Sequence, residues 1–259
     1  MLNLDFGIFC QNTMDTSQAL ASCWAQDGDI SYLHWMVNAW GWTVAVALVA
    51  IVIALVLGVV IGTLRTLPHQ RAISGVADGY VELFRNIPLL VQLLLWYHVV
   101  PVFIPALKSV DGFWLATAAL GVFTSARIAE QVRAGILALP KGQWNAAMAL
   151  GLSKVQAYRL VMLPNALRIV LPTLTSEAMN VFKNSSVAFA VSVAELTQFA
   201  MQAQEETGRG IEIYLAVTAL YIVSAFLVNR LCVAIEKRTQ LPGMGDSRAA
   251  KVHAVEGGV

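Results

Sequence analysis

Charge is the property that this sequence has least of. Only 13% of its 259 residues are Asp, Glu, Lys or Arg, whereas 58% are hydrophobic. An ordinary soluble domain carries about 25% charged residues, so this composition is typical of a protein that lies in a bilayer. The net charge is +1, which favours neither nucleic acid nor a strongly acidic partner. The positions of the charges therefore carry more information than their number.

Several patterns that would indicate chemistry are also missing. The sequence contains no GxxxxGK[ST] loop to hold a nucleotide phosphate. The four histidines are scattered, and the cysteines have no metal-binding spacing. Ser185 and Ser186 have no His or Asp close by in sequence to activate them. We therefore expect a chain that is not an enzyme and holds no metal or cofactor of its own.

Lysine and arginine are absent from the first 36 residues, which hold two of the three cysteines, Cys10 and Cys23. The chain starts without a basic stretch or a long apolar run, so we expect no cleaved signal peptide. If this segment faces an oxidising compartment, the two cysteines can form a disulfide. The alternative is that both are unpaired small hydrophobic residues.

The long apolar runs predict an all-α membrane protein with five transmembrane helices. A crossing needs about 20 residues, and residues 42–64 form an uncharged run of that length. Apolar side chains recur every three or four positions in residues 74–86, as in an amphipathic helix at the membrane surface or a lead-in to the next span. Residues 166–199 are too long for one straight crossing and include Pro172, so we predict a broken helix. The other spans are predicted at residues 87–104, 113–137 and 211–235.

Lysines and arginines are distributed unequally between the predicted loops. If the N-terminus lies outside, only Lys108 and Arg209 fall on the outer side. The inner side then holds Arg65, Arg71, Lys141, Lys154, Arg159, Arg168, Lys237, Arg238, Arg248 and Lys251. Because short cytoplasmic loops carry an excess of Lys and Arg, we predict an outer N-terminus and a cytoplasmic C-terminus. Residues 1–36 then form an outer segment, 37–238 the membrane domain and 239–259 a cytoplasmic tail.

The predicted cytoplasmic loop, residues 139–164, contains two short helical patterns. Residues 143–150 are rich in good helix formers, and Gly151 can adopt a positive φ and end that helix. Ser153 is suited to cap a second helix at 154–162. We predict a helix-turn-helix that either docks a soluble partner or packs on its own membrane helices. Its larger contact side chains are Trp144, Met148 and Tyr158.

Charged residues inside the predicted spans are the candidates for a substrate pathway. They cost several kcal/mol in the apolar core and normally face a cavity or a partner. Glu130 lies three residues from Arg127 and from Arg133, close enough to pair with either. Ser185 or Ser186 can cap a half-helix whose N-terminus binds an anionic group. Alternatively, Lys183 pairs with Glu177 and the serines bond to their own helix. The candidates are Arg127, Glu130, Glu177, Lys183, Asn184, Ser185 and Ser186.

Residues 146–151, with the sequence AAMALG, are followed after twelve residues by Pro164. This pattern resembles the EAA loop of the membrane subunits of ABC importers. Residues 80–90 resemble the family's segment before and into the second span. Residues 128–136, 140–143 and 183–186 resemble its polar amino acid uptake branch. The similarity covers nearly the whole chain and is strongest to the glutamate/aspartate permeases.

This resemblance implies a multi-pass permease subunit of a bacterial inner membrane, with residues 1–36 in the periplasm. It implies a translocation path for polar amino acids, with glutamate and aspartate as the first expectation. The implied partners are a homologous permease subunit, two ATPase subunits that hold ATP and Mg, a periplasmic solute-binding protein and membrane lipid, but no nucleic acid. The residues implied in ATPase coupling are Trp144, Asn145, Ala146, Ala147, Gly151 and Leu152. Asn145 stands where the family normally has Glu, so we expect this subunit to dock differently from its partner.

Other functions stay open at the level of sequence. An ion-gradient secondary transporter is one, although the small size and the absence of an internal repeat weigh against it. A membrane adaptor or receptor that uses the loop only for assembly is another. Within the transport hypothesis, glutamine and basic amino acids are rival substrates, because one lysine does not identify a ligand.

Overall fold

The computed structural model describes residues 4–14, 23–24, 30–68 and 70–239. These residues are almost entirely helical, with one isolated bridge between Asn12 and Ser31 and no strand among them. The α-helices are α1 (Tyr32–Leu64), α2 (Arg71–Asn86), α3 (Leu89–Leu94), α4 (Val100–Phe103), α5 (Gly112–Leu137), α6 (Lys141–Ala149), α7 (Lys154–Ala157), α8 (Leu163–Asn184), α9 (Leu196–Thr207) and α10 (Gly210–Thr239). The predicted all-α class is confirmed. Beyond Thr239, the predicted tail lies outside the described residues.

Short tighter or wider turns connect several of these helices. The segments Phe6–Cys10, Pro105–Ser109 and Ser185–Val191 are 3₁₀-helical, and Leu95–Val99 and Tyr158–Met162 are π-helical. Each π turn is followed, after one intervening residue, by a proline, Pro101 or Pro164, in the first turn of the next α-helix. Proline has no N–H and clashes with the preceding turn. A wider turn accommodates that ring without ending the helical run.

The centre of the fold is the close crossing of α1 and α5. A Cβ added to Gly62 of α1 would lie 2.6 Å from the carbonyl oxygen of Ala129, and one added to Gly121 of α5 would lie 2.6 Å from a methyl group of Ile53. Lipid is as apolar as the helices, so their association depends on close packing of small residues. Glycine at these contacts allows the two helices to approach each other.

Among the described residues, three helices are long and apolar enough to cross a membrane: α1, α5 and α10. The bent run of α2 and Leu89–Phe103, with an angle of 107° at the break, would make a fourth. Helix α8 is not among them, since it carries Arg168, Glu177 and Lys183 within 22 residues. The predicted number of five spans therefore stays a prediction. Helix α1 begins ten residues before the predicted start at 42.

The break in the predicted fourth span is not where the sequence placed it. Helix α8 ends at Asn184, but the chain continues through the 3₁₀ segment Ser185–Val191 and turns only at Ser192, which has a φ of 60°. The cap of the next helix is Glu195, whose carboxylate accepts hydrogen bonds from the backbone N–H groups of Thr197 and Gln198. The interruption therefore lies about seven residues later than the predicted run 183–186.

The described part of the N-terminal segment packs on the α9–α10 end of the molecule. Ile8 is fully buried in a cluster with Tyr32, Phe199 and Ile213. Asp5 accepts an ion pair from Arg209 at 3.0 Å, just before α10. Cys10 and Cys23 form a disulfide, so the first of the two alternatives for these cysteines is the one observed.

Candidate functional site

Helices α6 and α7 form a hairpin with well-defined helix ends. Gly151 has a φ of 78°, and the N–H of Leu152 donates to the carbonyl of Ala147, so this end closes as a left-handed C-terminal motif. Ser153 and Gln156 cap each other reciprocally at the start of α7. The predicted helix-turn-helix is confirmed. The second helix is shorter than predicted and runs through a π turn directly into α8.

The base of this hairpin is attached to the membrane helices by Tyr158. Its hydroxyl donates to the carbonyl of Thr66, just after α1, at 2.7 Å, and its ring packs edge-on against Trp144 with centroids 5.5 Å apart. Tyr158 is buried, so it does not offer the docking surface that the sequence suggested. It instead links the hairpin to the ends of α1 and α5.

The tip of the hairpin exposes large apolar side chains. Leu150 is 82% exposed and Val155 is 76% exposed. Asn145 and Ala146 are exposed beside them, whereas Ala147 is buried. Of the other predicted coupling residues, Gly151 is exposed and Leu152 is half-buried. Large apolar side chains that are exposed next to small residues are typical of a surface that is covered in an assembly.

A second candidate site joins α5 and α8 within the apolar part of the chain. Arg127 donates two hydrogen bonds to the Glu177 carboxylate, at 3.0 and 3.1 Å, and Gln131 donates a third at 3.0 Å. Glu177 has only 5% of its side chain exposed, whereas Arg127 has 45% exposed. The bidentate pair satisfies the buried charge, and the remaining N–H donors of the guanidinium face outward.

Sequence reasoning missed Gln131 as a member of this cluster. It lies one helical turn after Arg127, so the i,i+4 spacing on α5 was the available signal. Its Oε1 atom is buried and accepts no hydrogen bond within the described structure. The cluster therefore combines outward-facing donors with one unused acceptor.

Beside this cluster, α8 presents a polar stripe to the outside of the chain. Thr173, Ser176 and Lys183 are exposed and Asn180 is half-buried, and their spacing places them on one helix face. Lys183 makes no ion pair with any described residue, and Glu177, six residues before it on the same helix, pairs with Arg127. In a membrane, such a polar face normally lies against water or another subunit rather than against lipid.

The run 183–186 does not form the predicted half-helix cap. Ser185 is fully buried, and its hydroxyl donates to the carbonyl of Phe182 within the same helix. Asn184 and Ser186 are half-buried, and Asn184 makes no side-chain capping bond. The alternative that the serines bond to their own helix is thus observed for Ser185. Of these four residues, Lys183 is the one that is exposed.

Glu130 belongs to a different cluster, at the end of α1. It accepts from Arg65 at 2.6 Å and from Arg85 at 3.4 Å, and it lies 3.6 Å from Arg133. Arg65 also pairs with Asp78 of α2 at 2.6 Å. Burial lowers the pKa of Arg65, but its hydrogen bonds to Glu130 and Asp78 outweigh that effect and the net pKa is raised. This network holds α2 against α1 and α5.

No group of three or more His, Cys, Asp or Glu side chains in the described ranges is arranged to hold a metal ion. The Arg127 cluster and the polar stripe of α8 suit the binding of polar groups, and the exposed tip of the α6–α7 hairpin suits the binding of another protein.

The family described as binding-protein-dependent transport system inner membrane component matches residues 50–241. The chain is 38% identical over 226 residues to the glutamate/aspartate import permease protein GltJ of Escherichia coli strain K12, covering 83% of this chain and 92% of GltJ. It is 30% identical over 202 residues to the glutamate/aspartate import permease protein GltK of Escherichia coli O6:H1, covering 76% of this chain and 90% of GltK.

A chain from the crystal structure of an amino acid ABC transporter with histidines superimposes with a TM-score of 0.70 at 32% identity, covering 80% of this chain and 95% of that one. The chain therefore belongs to the family of inner membrane components of binding-protein-dependent transport systems. Such components are the permease subunits of ABC transporters. The protein is thus a membrane-embedded transport subunit and not an enzyme.

Proposed function

We propose that this permease imports polar amino acids, with glutamate and aspartate as its substrates. The observation that carries the proposal is the polar stripe of α8, with Arg127 beside it, left uncovered in the apolar part of the chain. Charged residues at this depth mark substrate paths in transporters. The similarity to two glutamate/aspartate permeases supports a substrate with carboxylates.

The pathway in this proposal runs along α5 and α8. Outward-facing N–H donors of Arg127 bind a substrate carboxylate. Glu177 holds Arg127 in place. Lys183 adds a second positive charge on the same stripe, next to Asn184, and Ser186 borders it. Glu130 and the buried Ser185 act in packing rather than in binding.

The proposed topology has five spans, formed by α1, the bent run α2–α4, α5, α8 with its 3₁₀ extension, and α10. The N-terminus lies in the periplasm and the C-terminus in the cytoplasm. Two observations support this orientation: the Lys/Arg bias between loops, and the Cys10–Cys23 disulfide at the N-terminal end, since disulfides persist in oxidising compartments.

The proposed partners follow from the exposed surfaces. A homologous permease subunit covers the polar stripe, which is consistent with the two glutamate/aspartate permease proteins among the relatives. Two ATPase subunits, which hold ATP and Mg, dock on the α6–α7 hairpin through Leu150 and Val155, and Asn145 and Ala146 border that contact. A periplasmic solute-binding protein delivers the substrate.

Uptake of labelled glutamate, aspartate, glutamine and arginine, in cells with and without this chain, tests the substrate. We expect loss of glutamate and aspartate uptake only. Loss of glutamine or arginine uptake instead would contradict the assignment. Uptake that follows the ion gradient rather than ATP would indicate a secondary transporter.

Lys183→Ala tests the pathway, with Lys108→Ala in the 3₁₀ segment Pro105–Ser109 as an exposed lysine control. We expect Lys183→Ala to abolish uptake while the complex with the ATPase stays intact, and Lys108→Ala to leave uptake unchanged. Normal uptake by the Lys183 variant would remove this residue from the pathway.

The hairpin is tested separately through Asn145→Glu, which restores the usual family residue. We expect equal or stronger association with the ATPase subunits in a pull-down from detergent. Loss of the complex would count against docking at this surface.

A further inference from the structure

A groove of about 450 Å³ lies between α1, α8 and α10, away from the proposed pathway. Its walls run from Trp40 to Leu55 on α1, from Leu171 to Phe182 on α8 and from Ser224 to Ile235 on α10. At about 1.5 Å per residue, the walls on α8 and α10 are about 16 Å long. This length matches one leaflet, or half of the ~30 Å apolar core of a bilayer.

The groove has almost no hydrogen-bonding capacity left. The indole N–H of Trp40 donates to the hydroxyl of Ser224 at 2.9 Å, which joins α1 to α10 at one end of the groove. The hydroxyl of Thr175 donates to the carbonyl of Leu171 at 3.2 Å. Of the polar side chains that line it, the Cys232 thiol is a weak donor. The occupant is therefore apolar along this length, which excludes an amino acid.

Two basic residues lie at the other end. Helices α8 and α10 run in opposite directions in the proposed topology, so Leu171 and Ile235 line the same end. Arg168 precedes Leu171 by three residues and Arg238 follows Ile235 by three, which places each on the groove-facing side of its helix. Both arginines are exposed, and neither forms an ion pair with any described residue.

We infer that this groove binds an anionic phospholipid of the cytoplasmic leaflet, with one acyl chain between α1, α8 and α10 and its phosphate near Arg168 and Arg238. The apolar groove has the length of one leaflet and matches the acyl chain, and the two unpaired arginines at its end match the phosphate. Basic pockets between transmembrane helices on the cytoplasmic side have this chemistry. Both the assignment of the leaflet and the placement of the two arginines at the same end of the groove rest on the proposed topology.

The bound lipid also has a structural consequence for transport. Helix α8 carries the polar stripe on one face and lines the groove with Leu174, Ala178 and Phe182 on another. A chain seated in the groove fills the space behind the pathway helix. We therefore expect transport in vesicles to increase with the content of anionic phospholipid.

Native mass spectrometry of the assembled transporter, purified in mild detergent with its partner subunits, tests the proposal. The measured quantity is the ratio of phosphatidylglycerol to phosphatidylethanolamine retained by the complex, relative to the membrane. One kcal/mol per basic residue near the surface corresponds to about fivefold in affinity. We expect R168Q and R238Q each to lower this ratio about fivefold, and R71Q/R159Q, which removes two exposed arginines away from the groove, to leave it unchanged.

Ala178→Phe tests the groove itself, since a phenyl ring at this position fills part of it. We expect both lipids to be lost from this variant while the subunit composition of the complex stays the same. Unchanged retention, or equal effects of R71Q/R159Q and the R168Q and R238Q variants, would overturn the proposal.

A second measurement does not depend on a folded Ala178→Phe variant. Cys232 lines the groove and is the cysteine outside the disulfide. A benzophenone maleimide attached to it in the wild-type complex is expected to form photoproducts with phospholipid. Photoproducts with the partner permease subunit would place protein in the groove, and products with neither would mean that it is empty; both results would overturn the inference.

Discussion

Removal of the Arg127 side chain should destabilise this protein more than neutralisation of its partner. Arg127→Ala leaves the Glu177 carboxylate, 5% exposed, with a single neutral donor from Gln131. An unpaired charge of this kind costs about 3–5 kcal/mol when fully buried. Because Arg127 is 45% exposed, water reaches the vacated space, and we reduce this to about 2–3 kcal/mol.

Glu177→Gln should lower the free energy of unfolding less than Arg127→Ala does. It removes the buried charge, keeps one acceptor for Arg127, and leaves a guanidinium that is already half-exposed to solvent. We expect a cost of about 1 kcal/mol. In a scanning fluorescence measurement on the purified complex, Arg127→Ala should lower the unfolding temperature by roughly 4–12 °C, and Glu177→Gln by roughly 2–4 °C.

The double variant Arg127→Ala/Glu177→Gln separates stability from transport. It contains no unpaired charge, so its unfolding temperature should recover above that of Arg127→Ala. Glutamate uptake should stay lost in both variants without Arg127, because the carboxylate-binding donors are gone. Recovery of uptake together with stability would show that the pair is only structural. A double variant less stable than both single variants would refute the reasoning about the unpaired charge.

Arg133→Ala serves as the matched arginine control on the same helix. Arg133 is 38% exposed and lies 3.6 Å from Glu130, and exposed ion pairs contribute at most about 1 kcal/mol. We expect little change in unfolding temperature and normal uptake.

Three further predictions follow from the packing. Gly62→Leu should prevent the α1–α5 contact and reduce the amount of assembled complex recovered, whereas Gly41→Ala on the same helix, where an added Cβ meets nothing within 4 Å, should be neutral. Tyr158→Phe should cost about 1 kcal/mol and weaken substrate-stimulated ATP hydrolysis, since it frees the hairpin from the carbonyl after α1; unchanged stimulation would show that this bond is not part of the coupling. A membrane-impermeant maleimide should label Cys10 and Cys23 in intact cells only after reduction, and labelling only after lysis would contradict the proposed outer N-terminus.

Local sequence patterns were sufficient for much of the hairpin. Gly151 ends α6 and Ser153 starts α7 as expected, because each of these residues acts on its own backbone and immediate neighbours. The role of Tyr158 was not visible in the same way. Its hydroxyl partner, Thr66, lies 92 residues away in sequence, and only the packing of α1 against the hairpin brings the two together.

The break after α8 shows the same contrast between local sequence signals and tertiary contacts. Pro172, Lys183 and the serines suggested an interruption near 183–186, yet the chain stays helical there, and the Ser185 hydroxyl bonds to the preceding turn. The turn occurs at Ser192, and the next helix is capped by Glu195. Glu195 is also bonded to Tyr221 of α10 at 2.9 Å, so a tertiary contact takes part in fixing this end.

Sequence alone was enough to establish that this chain is helical, lies in a membrane and carries a helical hairpin, because apolar length and helix caps are local properties. The tertiary structure decided which polar groups meet. The sequence left open a pair between Glu177 and Lys183, but the two lie six residues apart on different faces of α8. Helix α5 instead places Arg127 and Gln131 against Glu177. Lys183 is thereby left exposed on the polar stripe. The physical reason is that buried charges pair with whatever packing brings within hydrogen-bonding distance, and packing is not encoded in local spacing.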